Sequence, residues 1–308
     1  MSFQSTYHAN GKLLLTGEYL VLHGAKAIAL PLKVGQQLSV SEENYSDSIH
    51  WQAFYDGQVW FSCKLNPTDF SVMNTSHPEK AETLSQIFQT IRTLNPAFRH
   101  NAGTKFETTL DANPEWGFGS SSTLISLLSQ WAGVDPFALN ELVFRGSGFD
   151  IACATADGPI LYTRNNPVQP ISLDYPFSDQ LFLVYSGKKK KTAGEVESFL
   201  KEKKVSNQMI GEFSALADEF AGCRNLYEFN KLVHFHEQQV GKLIGKSPVK
   251  AVRFSDFEGE IKSLGAWGGD FYLISTELPF TEMKKYFENK GMDTVFRWDD
   301  LILKRQLA

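Results

Sequence analysis

This sequence predicts an α+β fold in two domains, and three observations carry the prediction. Strand patterns of period two and helix patterns of period 3.6 are intermixed in both halves of the chain, which suits mixed or antiparallel sheets. The length of 308 residues corresponds to about two domains at roughly 100–200 residues each. One glycine- and serine-rich stretch, Gly117-Phe118-Gly119-Ser120-Ser121-Ser122, joins an alternating run over 104–110 to an apolar-periodic run over 124–131. Strand, glycine loop and helix start, in that order, make an anion site.

Taken in order, the chain opens with an apolar run over 11–24 that carries Lys12 and Glu18 and is broken at Gly17. Strands are predicted at 27–33, 36–41, 49–55 and 59–64, with Asp56-Gly57 as a hairpin turn. Leu84, Ile87, Phe88 and Ile91 give 78–94 the spacing of a helix. Asp135-Pro136 supplies an N-cap and a first-turn proline for a helix through Phe144, with Gly146 as its stop. A strand at 159–162 precedes Asn165-Asn166-Pro167 and Tyr175-Pro176, the breaks that best suit a connection, so the domains are placed at 1–176 and 177–308. The second half predicts a strand at 180–185, helices at 193–203, 207–221 and 226–243, a strand at 271–275, a helix at 281–289 and a strand near 294–298.

Composition narrows the function classes. The chain is 42% hydrophobic and 21% charged, as in ordinary globular proteins. A formal charge of −5 argues against nucleic acid as the main partner. Cys63, Cys153 and Cys223 have no metal-ligand spacing and read as buried free thiols of a reducing compartment. No leader-like N-terminus and no long apolar segment is present in the sequence, so a cytoplasmic location without membrane partners is expected.

Gly117 and Gly119 allow positive φ and close backbone approach, and the helix that follows aims unpaired N–H groups and its positive dipole end at the loop. Serine hydroxyls can bind phosphate oxygens or hydrated Mg²⁺. Taken alone, the loop is equally an ordinary serine-capped helix start. Three further stretches shift the balance: Gly11 to Gly24, Gly146-Ser147-Gly148-Phe149-Asp150-Ile151-Ala152, and Gly265-Ala266-Trp267-Gly268-Gly269-Asp270. Singly, the residues have plainer explanations: Lys12 as a strand-edge lysine, Asp150 as a turn residue, and Glu141, in the helix before Gly146, on a solvated face. The Lys188-Lys189-Lys190-Lys191 run fits a solvated loop better than an anion-attracting one, and His234 and His236 point to different helix faces.

The four stretches, in this order, resemble the signatures of the GHMP kinase superfamily, and most closely its mevalonate and phosphomevalonate kinase branch. Gly117-Phe118-Gly119-Ser120-Ser121 is similar to that family's phosphate loop, and 265–269 is similar to its third glycine motif. Asn10 stands where the family has proline, while Trp116 and Trp267 are bulky where small residues are usual. The resemblance implies an N-terminal domain like ribosomal protein S5 domain 2 and a ferredoxin-like C-terminal domain. It implies ATP and Mg²⁺ as cofactors and a small-molecule acceptor of the mevalonate type; phosphomevalonate, homoserine and sugar kinases of the same superfamily are alternatives. A sensor that binds a nucleotide or metabolite without catalysis is the reading from another class. By the same resemblance Asp150 and Lys12 would be catalytic, and Gly117, Phe118, Gly119, Ser120, Ser121 and Ser122 would hold ATP. Ser121 and Glu141 would hold the metal, and Glu18, Gly265, Gly268 and Gly269 would belong to the substrate region or the C-terminal glycine loop. A homodimer is compatible with this reading and not required by it. Phosphoryl transfer needs alignment and charge neutralisation, the parts that such residues supply.

Overall fold

The computed structural model describes residues 4–42, 46–98, 100–188, 205–265, 267 and 269–305. The helix expected at 193–203, Lys189, Lys190 and Lys191, and Gly268 lie outside the described residues. The chain forms two compact units built from non-contiguous segments. One comprises 1–11, 34–114 and 118–155; the other comprises 12–33, 115–117 and 156–308.

The chain begins with strand β1 (Gln4–Leu14), which pairs with the 16-residue strand β2 (Ala27–Glu42). Two strands were expected where β2 runs unbroken. Gly35, in the gap between the two expected strands, is an extended residue with β1 pressed against it. A Cβ at Gly35 would lie 3.0 Å from the carbonyl carbon of Ala9 and nearer still to its oxygen. The glycine serves close approach of two strands, not a turn.

In the first unit β3 (Ile49–Tyr55) and β4 (Gln58–Leu65) form the expected hairpin. Asp56 and Gly57 both have positive φ, 51° and 70°, as the tight turn between twisted strands requires. Next come β5 (Val72–Thr75), α1 (Pro78–Leu94) and β6 (Thr104–Leu110). The sheet order in this unit is β5-β4-β3-β6-β2, antiparallel except for β3 and β6. The apolar face of α1 buries Leu84, Ile87, Phe88 and Ile91 in a core that also holds Trp51 and Phe106. The Trp51 and Phe106 rings stack at 5.5 Å, and Trp131 meets Phe106 edge-on at 4.7 Å. Such ring pairs contribute about 0.5–1.5 kcal/mol each beyond the area they bury.

Three helices complete the unit: α2 (Ser120–Ala132), α3 (Pro136–Val143) and α4 (Phe149–Ala154). Asp135 caps α3 as expected, its side chain accepting from the Phe137 N–H. The helix ends at Val143 with Phe144 as its C-cap, one residue short of the expected end. Arg145 turns the backbone to φ 54° just before the expected stop at Gly146.

In the second unit the first residues of β2 pair with β7 (Ile160–Tyr162), which pairs with β8 (Gln169–Pro170). Tyr175 lies buried in this unit, and its hydroxyl donates to the Phe220 carbonyl at 2.8 Å. A second sheet holds β9 (Leu181–Tyr185), and after it come α5 (Asn207–Gly222), α6 (Leu226–Ile244) and α7 (Val249–Arg253). Then follow β10 (Glu260–Leu264), β11 (Phe271–Ser275), α8 (Phe280–Glu288), β12 (Val295–Arg297) and α9 (Trp298–Leu301). The order is β10-β11-β9-β12, all antiparallel. Every residue of β11 is buried, as suits an interior strand covered on both faces. Cys63, Cys153 and Cys223 are buried free thiols, and burial pushes the Cys63 thiol up to about 12. Among the described residues no helix is long and apolar enough to cross a membrane.

Candidate active site

The first unit carries the loop from Phe118 onward. Gly119 is the N-cap of α2 at φ 90° and ψ 39°, a left-handed conformation that glycine adopts without strain. The Thr123 N–H and the Ser122 hydroxyl both donate to the Gly119 carbonyl, at 3.0 Å and 2.8 Å. Thr123 also donates through Oγ1 to Gln36 Oε1 at 2.7 Å, which ties the turn to β2. The N–H groups ahead of Thr123 have no carbonyl four residues back within the helix, and the dipole of a 13-residue helix adds positive potential there. The three serines are used differently. Ser122 is buried and bonded to Gly119, Ser120 is half-buried, and Ser121 is exposed.

Beside this turn is a small, partly open pocket whose walls include Val34, Leu110, Ala112, Pro114, Phe118 and Thr123. Most of that lining is apolar, which disfavours a charged group there. Helix α4 packs on α2, and α3 packs on both. Asp150, the second residue of α4, is half-buried, and its Oδ1 accepts from the Ile151 N–H at 3.1 Å. Gly148 starts that helix at φ 89°. Glu141 is exposed near the C-terminal end of α3. Ser120 to Ser122, Glu141 and Asp150 are therefore carried on three mutually packed helices.

The second unit brings together the other motif residues. Lys12 is half-buried on β1, and its Nζ donates to the Gly117 carbonyl at 3.0 Å. Gly117 has φ 72°, and a Cβ there would lie 2.6 Å from Cγ of Asp270 and closer to its Oδ2. Asp270 is 7% exposed, and its carboxylate also faces Gly265, which has φ 79°. Gly269 is buried in the same turn. Trp116, bulky where a small residue is usual, is packed on Phe296, Phe271 and Tyr185 with ring separations of 5.3 to 6.4 Å. The Tyr185 hydroxyl donates to the Glu115 carbonyl at 3.3 Å. Burial, with the charges of Asp270 and Glu115, holds that phenol above its ordinary value.

Glu18 lies elsewhere in this unit, in a buried ion cluster. Its carboxylate pairs with Lys262 on β10, and its Oε2 lies 3.2 Å from His236 Nε2 on α6. Burial pushes the Glu18 carboxyl up, but Lys262 and His236 outweigh it and hold the group below the ordinary carboxylate range. His236 is buried and His234 exposed, the different faces that their spacing predicted. Sequence reasoning did not single out Lys262, Glu237 or Asp270 as members of polar clusters. Among the described residues no group of three His, Cys, Asp or Glu side chains is arranged to hold a metal ion.

No family model and no curated protein matches the sequence. Solved structures match it in fold. The mevalonate kinase of Methanococcus jannaschii superposes with a TM-score of 0.72 at 18% identity, covering 99% of both chains. The phosphomevalonate kinase of Streptococcus pneumoniae, in complex with phosphomevalonate and AMPPNP, gives 0.68 at 16% identity over 96% of this chain and 99% of that one. The galactokinase of Lactococcus lactis complexed with galactose gives 0.66 at 10% identity over 98% and 94%.

Proposed function

The chain has the GHMP kinase fold that these structures share, and on that premise we propose that it is an ATP- and Mg²⁺-dependent kinase acting on a mevalonate-type acceptor. The observation that carries the reading is the start of α2, where a left-handed Gly119 leads into the N–H groups of Ser120 to Ser122. We read this turn as the cradle for phosphate. The apolar pocket beside that cradle is the place for the base of a nucleotide, and the similar Streptococcus pneumoniae structure holds the ATP analogue AMPPNP.

Each residue then has a role. Gly117 to Ser122 hold the phosphates. Lys12, held on the Gly117 carbonyl, supplies a positive charge beside that loop. Asp150 receives or orients the proton of the acceptor hydroxyl. Mg²⁺, when bound, neutralises phosphate charge. The exposed Ser121 hydroxyl and the Glu141 carboxylate are hard oxygen donors that fit such an ion. Gly265, Gly268 and Gly269 line the acceptor region in this proposal. Glu18 acts there from a distance, through the buried cluster that anchors the strand leading into that turn. The setting is cytoplasmic, in keeping with three free thiols.

An acceptor screen tests the reading. Mevalonate, phosphomevalonate, homoserine and several sugars are offered with Mg·ATP, and ADP release and phosphorylated product are both measured. Mevalonate is expected to be the best acceptor. Tight Mg·ATP binding with no transfer to any acceptor would favour a nucleotide sensor instead.

A further inference from the structure

Four ionisable side chains meet without solvent in the second unit, and none belongs to the phosphate cradle. They are Glu18, His236, Glu237 and Lys262, of which the most exposed is Glu18 at 5%. Lys262 pairs with Glu18 and also lies 3.9 Å from Glu237 Oε1. Neighbouring α6 residues supply His236 and Glu237, β10 supplies Lys262, and the turn after β1 supplies Glu18. From α5 the neighbours are the rings of Phe213 and Phe220, set edge-on to His236 at 5.6 and 6.0 Å. Among the described residues neither Glu237 carboxyl oxygen has a hydrogen-bond partner, and the Glu260 carboxylate on β10 adds negative charge nearby.

Charge balance decides the protonation. One buried ammonium can neutralise one buried carboxylate, and a second ionised carboxylate would stand uncompensated in a dry interior. Lys262 with Glu18 is the tighter pair, so Glu237 is left as the neutral acid. Burial opposes charging of His236, with Lys262 acting in the same direction, so the imidazole stays neutral as well.

The location gives this cluster its consequence. Lys262 stands three positions before Gly265, at the start of the third glycine turn. Tyr19, beside Glu18, holds a strained φ of 65°, and its hydroxyl accepts from the Trp267 N–H at 3.2 Å in the middle of that turn. Trp267 packs with Tyr19, Phe213 and Val240 in one apolar cluster. At the far end of the turn, Asp270 fills the space beside Gly117, whose carbonyl holds Lys12.

We propose that Glu237 is a positioning residue: as a neutral acid it completes the buried Glu18–Lys262–His236 cluster that fixes the third glycine turn against the Gly17–Tyr19 turn, and its ionisation loosens that turn. The inference rests on the kinase reading only for its effect on turnover. The clamp itself is a property of the second unit.

Burial pushes the Glu237 carboxyl up to about 8. A carboxyl raised in this way contributes stability that is complete below its unfolded value and is lost as pH rises through the folded one. The loosening is therefore an alkaline event. Trp267 reports it, as the difference in emission between wild type and Trp267→Phe, followed from about pH 6 to about pH 10. Wild type is expected to change with a midpoint near about 8, and Glu237→Gln, which has the same shape and no proton to lose, to stay flat. Turnover with Mg·ATP, normalised to each protein's own value at neutral pH, should fall on the same curve in wild type and not in Glu237→Gln. Superimposable profiles for the two proteins would overturn the proposal. Should Glu237→Gln fail to fold, infrared spectra of wild type carrying ¹³C-labelled glutamate decide the matter. A protonated carboxyl band at neutral pH that disappears near about pH 8 supports the clamp, and absence of that band sinks it. If the Trp267 signal titrates while no acceptor is phosphorylated, the clamp stands and the kinase reading fails.

Discussion

The Asp270 carboxylate occupies the space that a side chain at Gly117 would need: a Cβ there would come within 2.6 Å of Asp270 Cγ. Gly117 also sits at φ 72°. Two penalties thus fall on Gly117→Ala, the left-handed backbone and the overlap with a nearly buried carboxylate, and overlaps of this kind cost about 1–3 kcal/mol. Urea unfolding should show a loss of that order. Adding Asp270→Ala should recover part of it and leave the backbone share. A Gly117→Ala protein as stable as wild type would mean that the two residues do not meet.

The buried pair of Lys262 and Glu18 predicts a marked asymmetry between single and double variants. Lys262→Met leaves the Glu18 charge buried without its main partner, and breaking a buried pair from one side costs about 3–5 kcal/mol. Lys262→Met with Glu18→Gln should cost much less than the sum of the two singles. Equal and additive losses in thermal melts would show that the charges are not coupled.

Acid should unfold the protein by a route that passes through the same cluster. The Glu18 carboxyl is held below its ordinary value, so its contribution is complete above about 4.5 and is lost as pH falls through the folded value. His236 is also held below its ordinary value, mainly by burial, so the folded state resists its protonation and loses stability as pH drops under about 6.5. Between about pH 6.5 and about pH 4.5 the His236 loss is opposed by the gain from the raised Glu237 carboxyl. Glu237→Gln should therefore expose a decline in melting temperature there that adding His236→Gln removes. Wild type should decline steeply only where Glu18 protonates. An unchanged acid profile in these variants would place the sensitive groups elsewhere.

If Asp150 receives the acceptor's proton, Asp150→Asn should cut kcat by about 10²–10⁴-fold while Mg·ATP affinity and melting temperature stay near wild type. Asparagine suits turns and helix starts as aspartate does, so a residue of purely local structural use would tolerate the change. Near-wild-type turnover on the best acceptor would end the catalytic assignment.

Ser121→Ala should raise the Mg²⁺ concentration needed for half-maximal activity, with little effect on folding, because Ser121 is the exposed serine of the three. Ser122→Ala should instead loosen the first turn of α2 by removing the bond to Gly119, at a cost of about 0.5–1.5 kcal/mol. Comparing Mg²⁺ titrations with melts separates the two serines. A metal requirement that moves with Ser122 rather than Ser121 would reverse their roles.

Much of this molecule was legible where the signal is local. The Asp56-Gly57 turn, the Asp135 cap and helix α1 each depend on residues within a few positions of one another, and each stands where the sequence put it. Gly35 shows the opposite case, since a glycine between two apolar runs looks like a break until the strand pressed against it, at Ala9, is known. Strand β10, Glu-Ile-Lys-Ser-Leu, loses its alternation at Ser263 and Leu264 because both its faces are buried, with Lys262 held against a carboxylate 244 positions away. Glu237 looked like one charge among many on a long helix, and Asp270 like the end of a glycine turn. Their surroundings come from distant parts of the chain, and no spacing rule reaches that far.

The second unit is stitched from pieces made at very different times. Residues 12–33 belong to it, yet their partners are at the other end of the chain: Leu32 bridges to Ile302, and the Leu303 N–H donates to the Pro31 carbonyl. At the usual elongation rate of about 5–20 residues per second, the early segment waits on the order of tens of seconds before its last neighbours leave the ribosome. During that interval Leu13 to Leu15, Leu20 and Ala27 to Leu32 are an apolar stretch without the core that later buries them. Residues 13–32 of the nascent chain are thus expected to serve as a client site for chaperones, with occupancy ending once Ile302 and Leu303 have emerged.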